Sequence, residues 1–176
     1  PYEGKWIYYG NNEEVVTIAE YKKFKLTKES VFENGTPKKV TFHKNNEYND
    51  IDKTIYYNAD GNVKSELIYE DGIPHNGMLY EENKETNYKE GLIKSTKAFY
   101  ESGKLHYQKT FNDNKKTYET TVYEKNGQKR FYIENESAET DYSKYKFTGE
   151  ITIYKNGEPA EKVLVKDGIL QNGKIV

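Results

Sequence analysis

Apolar residues recur at every second position in short stretches of this chain, as at Leu105, Tyr107 and Phe111 and at Phe147, Ile151 and Ile153. A period of two lays these side chains on one face of an extended backbone and the intervening polar ones on the other, the pattern of a half-buried β-strand. Helical periodicity is scarce. The segment 12–28 spaces Val15, Ile18 and Tyr21 nearly as a helix would, yet Val15, Val16, Thr17 and Ile18 are β-branched, and the segment is expected to be strand.

Turn signals separate the stretches. Gly35, Gly61, Gly72, Gly77, Gly127, Gly157, Gly168 and Gly173 all follow Asn or Asp. Such pairs tolerate the positive φ angles of the tight type I′ turns that join antiparallel strands. They are therefore expected in hairpin turns, with His75 on an exposed loop between Gly72 and Gly77. The glycines keep a step: 72 − 61 and 168 − 157 both give 11, one strand plus one turn. A longer match aligns residues 69–79 with 165–175 through a shared Asp-Gly-Ile-x-x-Asn-Gly, and predicts one backbone path for both copies. The fold class that follows is all-β, an elongated antiparallel β-meander of stacked hairpin repeats in a single-layer or partly curled sheet.

Composition sharpens this picture. Hydrophobic residues make up only 34% of the chain, and 18 of its 176 residues are Tyr. The core must be thin, as in a repeat sheet held by aromatic stripes and cross-strand pairs. The net charge is −2, from 27 basic and 29 acidic residues without a long block of either sign, and Arg130 is the one arginine. Nucleic acid is therefore disfavoured as a partner, because the usual cationic surface and bidentate guanidinium contacts are missing. There is no cysteine. No apolar run approaches the ~20 residues of a helical membrane span, which leaves peripheral membrane contact open. The chain begins at Pro1 without an initiator Met, so an export signal could have been removed, and an exported or surface location is favoured over the cytoplasm.

The residues Tyr56-Tyr57-Asn58-Ala59-Asp60-Gly61, Lys64-Ser65-Glu66 and Tyr69-x-x-Gly72, followed by Gly77, carry a resemblance. Partial copies are Phe32-Glu33-Asn34-Gly35, Phe99-Tyr100-Glu101-Ser102-Gly103, Val122-Tyr123-Glu124-Lys125-Asn126-Gly127 and Ile153-Tyr154-Lys155-Asn156-Gly157, and Gly4-Lys5-Trp6-Ile7-Tyr8-Tyr9 is similar to the strand that opens such a unit. Together they resemble the bacterial variant MORN (membrane occupation and recognition nexus) repeat proteins, which include antitoxin-like members. The resemblance implies a meander that extends hairpin by hairpin. It divides a single repeat domain into units at about 1–29, 30–52, 53–94, 95–116, 117–145 and 146–176. The copies are interrupted around 43–52, 80–95 and 133–146, and their uneven spacing implies longer loops in places.

Catalytic chemistry finds little support. His43, His75 and His106 lack metal-ligand spacing and are expected to face solvent. Asn58, Asp60 and Asn62 are similar to part of a calcium loop, but Tyr69 stands where the bidentate Glu belongs, and a hairpin turn explains them better. Paired carboxylates such as Glu13-Glu14 and Glu81-Glu82 arise readily among 29 acidic residues. No enzymatic activity, metal or cofactor is expected. Tyrosine offers a broad amphipathic face at low entropic cost, so Trp6, Tyr8, Tyr57, Tyr69, Tyr100, Tyr107, Tyr123 and Tyr154 could form a recognition ladder, although for any single Tyr core is favoured, because a thin sheet has nothing else to pack with. Trp6, Tyr8, Tyr57 and Tyr100 are the candidate partner-binding residues. The leading expectation is a non-catalytic protein–protein interaction module acting through the aromatic face or edge of the sheet. The alternatives are an antitoxin or immunity-type protein that neutralises a cognate toxin, and a carbohydrate or cell-wall binding module.

Overall fold

The computed structural model describes residues 3–44, 50–137, 148–167 and 169–175. Phe147 and Gly168 lie outside the described residues. The structure is all-β, with no helix among the described residues. Its strands are β1 (Gly4–Tyr9), β2 (Val15–Lys22), β3 (Lys25–Glu33), β4 (Thr36–His43), β5 (Ile51–Tyr57), β6 (Val63–Glu70), β7 (Ile73–Glu81) and β8 (Lys84–Lys89). They continue as β9 (Leu92–Phe99), β10 (Leu105–Asn112), β11 (Thr117–Tyr123), β12 (Lys129–Ser137), β13 (Gly149–Lys155), β14 (Glu158–Lys166) and β15 (Ile169–Ile175). The strands follow one another through the sheet in chain order, an antiparallel meander. By internal contact the chain divides into two units, Pro1–Leu79 with Asn87–Leu92, and Tyr80–Thr86 with Ile93–Val176.

One register runs through each unit. In the first, Trp6, Ala19, Glu29, Thr41, Thr54, Leu67 and Gly77 stand opposite one another on successive strands. In the second, the corresponding row is Thr96, Lys109, Thr120, Ile133, Ile151, Val163 and Gly173. A bulge recurs three residues before the row position on the returning strand, at Val16, Lys38 and Lys64 in the first unit. In the second it falls at His106, Arg130 and Ala160. Opposite and just past each bulge stands an aromatic residue: Tyr9, Phe32, Tyr57, Phe99, Tyr123 or Tyr154. A bulge bends its strand and sharpens the twist, so the same device is used at each of these hairpins. The structural repeat is a two-stranded hairpin.

The core is thin and rich in threonine. Ala19, Leu26, Val40, Tyr56 and Leu67 are buried in the first unit and Val163 and Val165 in the second, beside buried Thr41, Thr54, Thr86, Thr96, Thr120 and Thr152. Threonine is β-branched and suits a pleated surface, and its hydroxyl can be satisfied across strands. The Oγ1 atoms of Thr41 and Thr54 lie 3.5 Å apart. This is how a chain with 34% hydrophobic residues can line its interior.

Turn chemistry follows the expected code with instructive exceptions. Asn34-Gly35, Asp71-Gly72 and Asn156-Gly157 have positive φ at both residues, as type I′ turns require, and so do Glu90-Gly91 and Lys23-Phe24. Gly61, Gly103 and Gly127 occupy the left-handed position of a second loop form, in which the first loop residue donates its N–H to the carbonyl of the last and its own carbonyl accepts from the N–H of that glycine, and Glu13 takes the glycine's role after β1. The segment 12–28 divides between β2 and β3 at Lys23-Phe24, and the region 80–95 forms β8 and the ends of its neighbours. The strands flanking the two Asp-Gly-Ile copies share their register: Leu67↔Gly77, Ile68↔Asn76 and Tyr69↔Pro74 match Val163↔Gly173, Leu164↔Asn172 and Val165↔Leu170, bulge included.

Gly77 and Gly173 correct the turn reading, because both lie inside strands, β7 and β15. Gly77 has φ +114°, and a Cβ there would meet the Glu66 carbonyl oxygen at 2.0 Å. It is required by the close approach of β6, not by a turn. His75 accordingly belongs to β7, half-buried, with Nδ1 3.0 Å from the Glu70 carboxylate. His43 also departs from expectation. It sits in β4 with both ring nitrogens shielded from solvent.

Candidate functional site

The first strand differs from the other strands whose burial is described throughout. The run Trp6-Ile7-Tyr8-Tyr9 places large apolar residues on both faces of β1, and all six strand residues are exposed. Such continuous apolarity is what a strand covered on both faces carries. The register supplies the comparison. Trp6 is 42% exposed where its counterpart Thr54 is 2%, and Tyr8 is 47% exposed where Tyr56 is 7%. Tyr9 is exposed, whereas Phe32, Tyr57, Phe99, Tyr123 and Tyr154 at the equivalent place are half-buried. The interior strands have a neighbour on each side, whereas β1 pairs with β2 alone among the described residues. The exposure is thus caused by position in the sheet.

Of the four candidate residues, the structure brings only Trp6 and Tyr8 together. They stand two apart on one face of β1, with the Trp6 ring set edge-on to Tyr21 at 6.2 Å between centroids. Tyr57 ends β5, half-buried, beside a shallow groove lined by Asn34, Pro37 and Asn58 at the hairpin tips. Tyr100, in the second unit, stacks on His106 at 4.4 Å, and its hydroxyl donates to the Tyr123 carbonyl at 2.7 Å. It ties two neighbouring hairpin ends and is half-buried. Tyr69, Tyr107, Tyr123 and Tyr154 are half-buried as well. Ile7 and Tyr9 are the surface residues that a search for isolated aromatics misses. The uninterrupted run of four large side chains is the signal that marks them.

The charged groups form a solvated lattice. Glu134 and Glu150 face each other directly on β12 and β13. Lys115 bonds Glu134 at 2.8 Å and Lys162 bonds Glu150 at 2.5 Å, relieving the repulsion. The Lys115 hydrogen bond, with its charge, holds the Glu134 carboxyl below the usual range. Burial, with Glu119 and Glu134 nearby, pushes the Tyr132 hydroxyl up to about 12. Asp60 is held low by the backbone and side-chain amides of Asn62, the pattern of a closed turn. Among the described residues no group of three or more His, Asp or Glu side chains is arranged to hold a metal. No helix among them is long and apolar enough to cross a membrane. No protein-family model matches the chain, and no curated protein matches its sequence.

Proposed function

We propose that the chain is a binding module that engages a protein partner through the edge and faces of β1. The observation that carries this is the exposure of Trp6, Ile7, Tyr8 and Tyr9 on a strand whose counterparts elsewhere are covered. Contiguous exposed apolar surface marks interaction sites, and the edge of a terminal strand offers main-chain donors and acceptors to a further strand. The recurrent hairpin register agrees with a MORN-like repeat, and the motif resemblance favours the same reading. Substituting Trp6→Ser and Tyr8→Ser together should abolish partner capture in a pull-down while the circular dichroism spectrum stays unchanged. Exposed positions typically contribute within about 0.5 kcal/mol of stability, so the thermal midpoint should move by only a few degrees. Capture that survives both substitutions would move the site away from β1.

A further inference from the structure

The registers on the page define what the outer side of β1 is built to receive. In β3, β5 and β13 the preceding strand lies antiparallel and covers the row position and the two residues after it: Glu29 to Val31, Thr54 to Tyr56, and Ile151 to Ile153. The equivalent residues of β1 are Trp6, Ile7 and Tyr8. An antiparallel strand placed there would continue a strand-to-strand interface that the chain already forms repeatedly.

We propose that this strand is β1 of a second copy of the chain, paired antiparallel about a two-fold axis at Ile7; the inference rests on the reading of β1 as an interaction surface. The argument is complementarity. With Ile7 opposite its own counterpart, Trp6 falls opposite Tyr8 of the second copy, and the aromatic face continues across the junction. Lys5, the one charged residue of Gly4–Tyr9, falls opposite Tyr9 of the second copy and never opposite the other Lys5. Lysine over a tyrosine ring is a contact this fold already makes, Lys109 over Tyr118 at 4.5 Å and Lys129 over Tyr154 at 5.6 Å. A partner of opposite charge is not called for, because the strand is apolar apart from that lysine. The buried surface of one short strand falls below the roughly 800 Å² per partner of stable interfaces, so the dimer is a dissociable one.

Sedimentation velocity from low micromolar to sub-millimolar chain tests the pairing. The expected result is a concentration-dependent dimer, lost in Ile7→Lys, where two like charges meet at the axis, and retained in the exposed control Val63→Lys. A monomer throughout, or a dimer indifferent to Ile7→Lys, overturns the self-pairing. If the monomer nonetheless captures another protein through Trp6 and Tyr8, the broader reading of β1 stands and only its self-association falls. Should Ile7→Lys lose its β spectrum, Ile7→Cys decides. The chain has no other cysteine, so mild oxidation yields a covalent dimer if the axis is at Ile7, and its absence overturns the proposal.

Discussion

At the scale of residues, glycines of similar sequence context carry different obligations. Gly35 lies in a turn at φ +76° with open space where a Cβ would go, whereas Gly77 lies against the β6 backbone at φ +114°. Gly35→Ala costs only the left-handed conformation, about 1 kcal/mol. Gly77→Ala adds a collision with the Glu66 carbonyl and should lose roughly 3 kcal/mol or more in a denaturant titration. Equal losses would show that β7 can move away from β6. Tyr132 makes a second prediction. Its hydroxyl is raised from 10.0 to about 12, so below pH 10 the folded and unfolded chains hold the proton alike. Between 10 and 12 the unfolded chain releases it first, and stability falls as pH rises through that window. Tyr132→Phe should flatten this alkaline limb, and the variant should lack a tyrosine NMR resonance that titrates near pH 12 in the parent.

At the scale of elements, the hairpin is the repeat and its turns set the register. The turn at Lys23-Phe24 holds two ordinary side chains at φ 50° and 68°, and Phe24 is exposed. Replacing the pair by Asn-Gly relieves left-handed strain with little packing lost, and should raise the unfolding free energy by about 1 kcal/mol, read from the urea midpoint. No gain would mean that the Phe24 ring is held by contacts worth as much as the strain. This turn was invisible in the sequence because it has no turn residue, and what closes it is the pairing of β2 with β3 on either side. The converse holds at Asn76-Gly77, where a turn-like pair sits mid-strand. The requirement there comes from Leu67 across the sheet, a partner ten residues away. Asn34-Gly35, Asp71-Gly72 and Asn156-Gly157 were legible because their conformation is settled locally. The candidate site divides the same way. Trp6 and Tyr8 could be named from their chemistry, but Tyr56 has similar chemistry and is buried. Exposure depends on the number of neighbouring strands, which the chemistry of a single aromatic residue does not encode.

At the scale of the whole molecule, strands paired in chain order make stability a sum of neighbour terms, and a strand with one neighbour is the weakest member. β1 contributes no buried residue, whereas its neighbour β2 contributes Ala19 to the row. Trp6 is the only tryptophan of the chain, so its fluorescence reports β1 alone while far-UV circular dichroism reports all strands. At low micromolar concentration, urea should therefore shift the Trp6 emission before the dichroism transition, a departure from two-state behaviour. Self-pairing through β1 adds the missing neighbour. Raising the concentration should then drive the fluorescence transition toward the dichroism transition in the parent chain, and leave it early in Ile7→Lys. Coincident transitions in dilute parent would mean that β1 is held by β2 as firmly as the interior strands are held, and its exposed aromatics would then be a stable platform in no need of a partner strand.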